Sequence, residues 1–247
     1  MIRVQRFSAQ RISIAAATAM LAAVALLAGL AHWLAEVGAW GRLALGARYL
    51  LVVVIPAVGI SLLVGIPLGL IAARVGRLGD RLVTRALEIV GGFPSIVLVA
   101  LLRATAPDAS VWYVAAILAL VRVPETVRLV RLHTIRYRTS ELYVAARALG
   151  ASSTRVLIRH IFPTMAGSLA CSAVMSVGIL IGVEAAMTFV GLGAPTDGPT
   201  WGAEIGHAVA SGDLRGALAP AGALALTIVA CHQLAEGVRR WFGAHGG

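Results

Sequence analysis

The chain has 247 residues, 59% of them apolar and 13% charged, with a mean hydropathy of +0.89 and a net charge of +10. Soluble domains carry about 25% charged residues, so a soluble globular domain is excluded and an integral membrane protein is indicated. The positive charge does not point to nucleic acid, because the basic residues recur between apolar runs instead of forming one patch, as the positive-inside rule requires.

All 21 basic residues are arginine. A Walker A loop needs its lysine on the nucleotide phosphates, so the chain is not by itself a P-loop ATPase and any ATP must be handled by a partner. Cys171 and Cys231 lie inside apolar runs and read as small buried hydrophobes. There is no CxxC, no HExxH and no paired-histidine spacing. The sequence therefore offers no catalytic residue, metal site or cofactor site.

Arg3, Arg6 and Arg11 precede an uncharged run over 12–35. That run is longer than the 7–15-residue core of a signal peptide (about that range), so it reads as an uncleaved first membrane helix with a cytoplasmic N-terminus. Residues 1–35 thus form an N-terminal transmembrane element and 36–247 a core of five further helices. His32 and Trp33 near the far end suit an interfacial belt.

A second uncharged run covers 49–73 and contains Pro56 and Pro67. Its Gly65 and Gly69 stand at GxxxG spacing, which predicts close packing against a neighbouring helix. Arg74, Arg77, Arg81 and Arg85 follow, with Asp80 among them.

The third run is uncharged only over 89–102, between Glu88 and Arg103, short of the roughly 20 residues a bilayer core needs. Extended back to Leu82 it spans, with Glu88 near the cytoplasmic end beside Arg85, and with Phe93 and Pro94 kinking it. The fourth run, 111–121, is followed by Arg122, Glu125 and Arg128. Glu125 can pair with either arginine at i,i+3 spacing, and the helix is expected to leave the membrane near Pro124 and continue into the cytoplasm. Residues 164–183 and 216–235 are the two remaining clean spans. They are separated by a glycine- and proline-rich stretch over 184–202, and the last is followed by Arg239, Arg240 and Trp241.

Residues 139–163 stand apart as the one long polar, arginine-bearing segment. Leu142, Ala145, Ala146 and Leu149 fall on one helical stripe, with Ser140, Tyr143 and Arg147 opposite. Ser140 suits an N-cap, Glu141 suits the positive end of the helix dipole, and Gly150 suits the stop. A second short helix is expected to open near Ser152 and to stop at Pro163, giving a projecting knob of two short helices. With six spans and both termini inside, sixteen arginines fall on the cytoplasmic side and four (Arg42, Arg48, Arg103, Arg215) outside. That asymmetry sets the orientation and places the knob in the cytoplasm.

These stretches resemble one family, the inner-membrane permease subunits of bacterial ABC importers for dipeptides, oligopeptides and nickel, specifically the C-type partner. The knob is similar to the family's cytoplasmic coupling loop, the EAA motif. Ala145, Ala146, Gly150 and Pro163 stand at its spacing, in AARALGAS followed by RHIFP, with Val144 where the motif has glutamate. The run EAAMTFVGLGAPTDGPTWG over 184–202 resembles the family's stretch at the outer end of the fifth span, and RLALGARYLL and FPSIVLVALL add to the match. Relatives carry a long external segment ending in Gly-Arg-Asp between the first two spans. Here only 36–47 remains, without that element.

The resemblance implies an all-α polytopic membrane protein of the type I importer permease fold, six transmembrane helices with a cytoplasmic helical coupling loop. It implies an alternating-access importer in the bacterial inner membrane. Its partners would be the lipid bilayer, two cytoplasmic ATPase subunits, a second permease subunit and an extracytoplasmic solute-binding protein, with no nucleic acid. Glu141, Leu142, Ala145, Ala146, Arg147, Leu149, Gly150 and Pro163 would form the ATPase-coupling surface. Arg147, Arg155 and Arg159 either pair with acids on the ATPase or only fix topology beside anionic lipid.

Glu184, Gly191, Gly193, Trp201 and Pro94 are the candidates for the gate or pathway. Glu184 at membrane depth reads either as an outer-gate acid or as a structural acid hydrogen-bonded to the Gly-Leu-Gly turn. Two other classes stay open at this point: an ATP-independent secondary transporter or channel, and an inactive permease-like scaffold.

Overall fold

The computed structural model describes residues 2–31, 38–106, 110–193 and 198–245, and every regular element among them is helical. Among the described residues ten helices follow in order: α1 Ile2–Gly29, α2 Gly38–Ala72, α3 Gly76–Gly92, α4 Ser95–Thr105, α5 Val111–Arg138, α6 Glu141–Ala148, α7 Ser153–Val156, α8 Phe162–Phe189, α9 Trp201–Ala210 and α10 Leu214–His245. A single wide π-turn, Leu157–Ile161, joins α7 to α8.

The bundle is centred on α2, whose Leu50, Val53, Val54, Ala57 and Val58 are buried with Val114, Ile117 and Leu118 of α5 and with Leu180 and Ile181 of α8. The α2–α5 contact runs on glycine. A Cβ at Gly65 would lie 2.6 Å from Thr126 Cβ, and one at Gly69 would lie 2.7 Å from Val130 Cβ. The GxxxG spacing thus finds its partner in α5, since small residues let two backbones approach where lipid supplies no hydrophobic drive. The opposite face of α2 shows Ile55, Leu63 and Ile71 outward, as suits contact with acyl chains. A second, smaller core gathers Val130, Ile161, Met165 and Leu169 under the 139–163 segment.

Among the described residues three helices are long and apolar enough to cross a membrane: α2 from Trp40, α8, and α10 as far as Phe242. The third run departs from expectation. It is not one kinked helix but two, α3 and α4, meeting at 88°. Phe93 turns extended (ψ 134°) ahead of Pro94, because the proline ring disfavours a helical residue before it. Eleven residues of α4 reach only about 16 Å, so α3 and α4 count as one span only if the bend is part of it.

One further expectation is corrected. The second short helix does not stop at Pro163. The chain passes through the π-turn into α8 with Pro163 in the first turn of α8, where a missing N–H costs no helical bond and the wide turn spares the carbonyl a clash. Residues 38–47, most of what remains of the external segment, form the first turns of α2. Other expectations hold: α5 runs unbroken through Pro124, and Arg85 pairs with Glu88 at 3.9 Å. His32, Trp33 and Glu36 lie outside the described residues.

Candidate functional site

Helix α8 is about 42 Å long at 1.5 Å per residue, and candidate residues gather at both of its ends. At the Phe162 end stands the knob. Ser140 Oγ accepts from Tyr143 N at 3.4 Å, which caps α6 as its sequence position requires. At the other end of α6, Gly150 takes φ +85°. Gly150 N donates to Arg147 O at 3.0 Å and Ala151 N to Ala146 O at 3.1 Å, the paired bonds of a Schellman stop. Ser152 Oγ then accepts from Arg155 N at 3.3 Å and opens α7.

The surface of α6 differs in part from the expected stripe. Leu142, Ala145 and Leu149 are exposed, Leu149 by 88%, and Glu141 and Arg147 are exposed too. Ala146 and Tyr143 are half-buried and face the protein. A hydrogen bond with Ser153, aided by the Arg138 and Arg147 charges, holds the Tyr143 phenol below its ordinary pKa. Arg147 Nη1 closes on Ala151 O at 2.7 Å, and Arg138 Nη1 caps the end of α2 at Ala73 O, also 2.7 Å. The knob is therefore tied down on its inner side and carries an apolar, arginine-flanked outer side.

At the Phe189 end the glycine- and tryptophan-bearing stretch folds back. Gly191 takes φ +77°, and Gly193 sits against the Thr188 side chain. Helix α9 then packs on α8 through Gly202, where any Cβ would strike Ala185 O and Thr188 Oγ1. Trp201 is buried, its Nε1 donates to Leu43 O at 2.9 Å, and its ring occupies the space left by Gly46. Thr200 Oγ1 caps α9 through Ala203 N, and Arg42 pairs with Glu204 at 3.0 Å.

The residue that holds this end is Arg103, which the sequence presents only as a charge interrupting the third run. It is 6% exposed, and it donates to Leu192 O at 3.3 Å, Gly193 O at 2.9 Å and Ala106 O at 2.9 Å. Glu184 does not do this work. It is 1% exposed, and neither carboxylate oxygen has a hydrogen-bond partner, so the structural reading that bonds it to the Gly-Leu-Gly turn is corrected. Pro94 is exposed at the α3–α4 break, apart from both end clusters.

Residues 65–243 match the family model for the binding-protein-dependent transport system inner membrane component. The chain belongs to that family. The match takes in the knob, the turn held by Arg103 and all of α3 to α9, so the resemblance read from residues 139–202 is borne out.

Among relatives of this inner membrane component, a putative peptide permease protein of Brucella ovis is 28% identical over 219 residues, 85% of this chain and 72% of that one. The glutathione transport system permease protein GsiD of Pectobacterium atrosepticum is 31% identical over 215 residues, 85% of this chain and 71% of that one. The dipeptide transport system permease protein DppC of Alkalihalophilus pseudofirmus is 38% identical over 162 residues, 65% of this chain and 53% of that one. A chain of the MetNI methionine ABC transporter, solved in inward-facing conformations, has the same fold, with a TM-score of 0.63 at 19% identity over 82% of this chain and 95% of that one.

Proposed function

We infer that this permease is the pathway-forming subunit of an ATP-driven peptide importer, crossing the bacterial inner membrane six times with both termini in the cytoplasm. In this reading α1 is the first span, and the core from residue 36 supplies the other five, α3 and α4 together making the third. A second permease subunit completes the pathway. An extracytoplasmic solute-binding protein delivers substrate at the Arg103 end, and two cytoplasmic ATPases each seat one knob. The names of the peptide, dipeptide and glutathione relatives support the substrate class.

One observation carries the coupling role: α6 is a capped eight-residue helix whose Leu142 and C-cap residue Leu149 stand out in the open, flanked by the exposed Arg147, Arg155 and Arg159. Exposed leucines on so short a helix have no task within this chain, but they suit a groove on a partner. Movement of the ATPase would pass from α6 through α7 and the wide turn into α8, and so to the end where Gly191, Gly193, Trp201 and Glu184 lie. ATP-independent carriage would leave α6 without a purpose.

The test is purification of the tagged chain from its own membranes in mild detergent, beside the double variant Leu142→Glu, Leu149→Glu. An ATP-hydrolysing subunit should accompany the wild type and be missing from the variant. The variant's thermal midpoint should hold, since exposed substitutions shift stability by only about 0.5 kcal/mol. A variant that keeps the ATPase removes α6 as the coupling element.

A further inference from the structure

A groove of about 1080 Å³ opens between α5, α8 and α10, just above the roughly 300–1,000 Å³ typical of ligand sites. Its lining is mixed: Leu129, Met175, Ile179 and Phe242 are apolar, but several polar side chains converge on it. From α5 come Arg122, Glu125 and His133, from α8 Ser168 and Ser172, and from α10 Arg239. The α5 residues fall on one helical stripe at i, i+3 and i+11, while Val123, Thr126, Val127 and Val130 of the same helix are buried on its other side. Ser168, Ser172 and Ser176 repeat every four residues and form the facing stripe of α8.

Depth makes these charges notable. Arg122 lies beside Ser176, fourteen residues past Phe162 and so halfway along α8, a helix long enough to cross a membrane, which sets it deeper than the exit near Pro124 expected from the sequence. Ionisable side chains at that depth face a water-filled cavity or a partner and mark a pathway. Arg122 does not close on its neighbour Glu125. Its Nε donates to Ser176 Oγ at 3.1 Å, and Ser176 Oγ in turn donates to Ser172 O at 2.7 Å. That chain of bonds sets the guanidinium plane and leaves its forked Nη edge for an incoming group. Glu125, one turn further along, is exposed to the groove. Arg239 at the Phe242 end is already occupied, by Glu236 at 2.8 Å.

We propose that this groove is the permease's substrate wall and that Arg122 and Glu125 read the two charged ends of a zwitterionic small peptide. Arg122 takes the terminal carboxylate on its Nη edge, the geometry in which arginine binds carboxylates best. Glu125 takes the terminal ammonium, and the α8 serines supply exchangeable hydrogen bonds to the peptide link. The furrow is open on one side, so the wall becomes a closed path only against the second permease subunit. The proposal rests on the importer reading above and adds the residues and the charge pattern that the pathway recognises.

The experiment uses the whole complex in proteoliposomes, with its binding protein, ATPases and partner permease, and measures ATP-driven uptake of labelled dialanine, its C-terminal amide and its N-acetyl form. The binding protein is the same throughout, so any change in the ratio between these probes belongs to the permease. Arg122→Gln should cut dialanine uptake by roughly tenfold or more, the effect of losing one charge-assisted contact, and should abolish the preference over the amide. Glu125→Gln, at an exposed position, should instead abolish the preference over the N-acetyl form.

Wild-type complex that imports no dialanine overturns the peptide-importer reading and this one with it. Wild-type import with unchanged ratios in both variants overturns this proposal alone. Loss of the second permease subunit from both variants also overturns it, by making the stripe a contact between permeases.

Discussion

Replacing Arg103 by alanine is the sharpest perturbation of the Phe189 end of α8. Arg103 is buried and makes at least three hydrogen bonds to backbone carbonyls, two at 2.9 Å and one at 3.3 Å. Hydrogen bonds from a charged donor contribute about 1.5–3 kcal/mol each. Water reaching a turn at the end of the bundle replaces part of that, so a net loss of about 3 kcal/mol is expected. For a chain of this size that corresponds to roughly 6–12 °C in the unfolding midpoint. Lysine at this position keeps the charge but not the fork, so Arg103→Lys should recover less than half of the loss. Thermal unfolding of the purified protein in detergent reads both values. An Arg103→Ala midpoint within the error of wild type would refute the assignment of Arg103 as the clamp of the Gly191 turn.

The remaining predictions concern packing and burial. Gly65→Leu should destabilise by about 1–3 kcal/mol through overpacking against Thr126, whereas Gly59→Ala, with nothing within 4 Å of its added Cβ, should be neutral or gain up to about 1 kcal/mol in helix propensity. Equal midpoints for the two would dismiss the glycine contact between α2 and α5. Glu184→Met removes a buried carboxylate with no partner, so the midpoint should rise by about 1–3 kcal/mol equivalent. A lower midpoint would mean that the acid finds a partner in the assembled transporter, while a higher midpoint together with reduced uptake would assign the acid to transport itself.

Features set by neighbouring residues were legible in the sequence, and features set by distant ones were not. Ser140, Glu141 and Gly150 announce a short capped helix because a cap is a local hydrogen-bond problem, and α6 forms between them. The Gly65 and Gly69 spacing announced a close contact, though not that α5 would make it. Pro94 signals an interruption, but not that α3 and α4 meet at 88°. Pro163 looked like a stop because the rule for proline assumes α-helical spacing, and one wide turn evades it. In the sequence Arg103 bears only on orientation, since two of its carbonyl partners lie 89 and 90 residues further on. Arg122 had an obvious partner four positions away or fewer and took Ser176 instead, 54 residues away.

The double capping of α6 has a consequence for recognition. Helices shorter than about 12–15 residues do not persist alone in water, and ordering eight residues costs on the order of 8–16 kcal/mol of backbone entropy. In this chain that entropy is lost when the permease folds, with Ser140, Gly150 and the tethers from Arg138 and Tyr143 holding the shape. A partner docking on α6 meets a finished surface and forfeits none of its binding energy to ordering it. A free peptide copying residues 139–163 carries the same side chains without that prior ordering and should compete poorly. On the coupling role proposed for α6, the docking surface would exist only on a permease that has already folded, and assembly would become a test of folding.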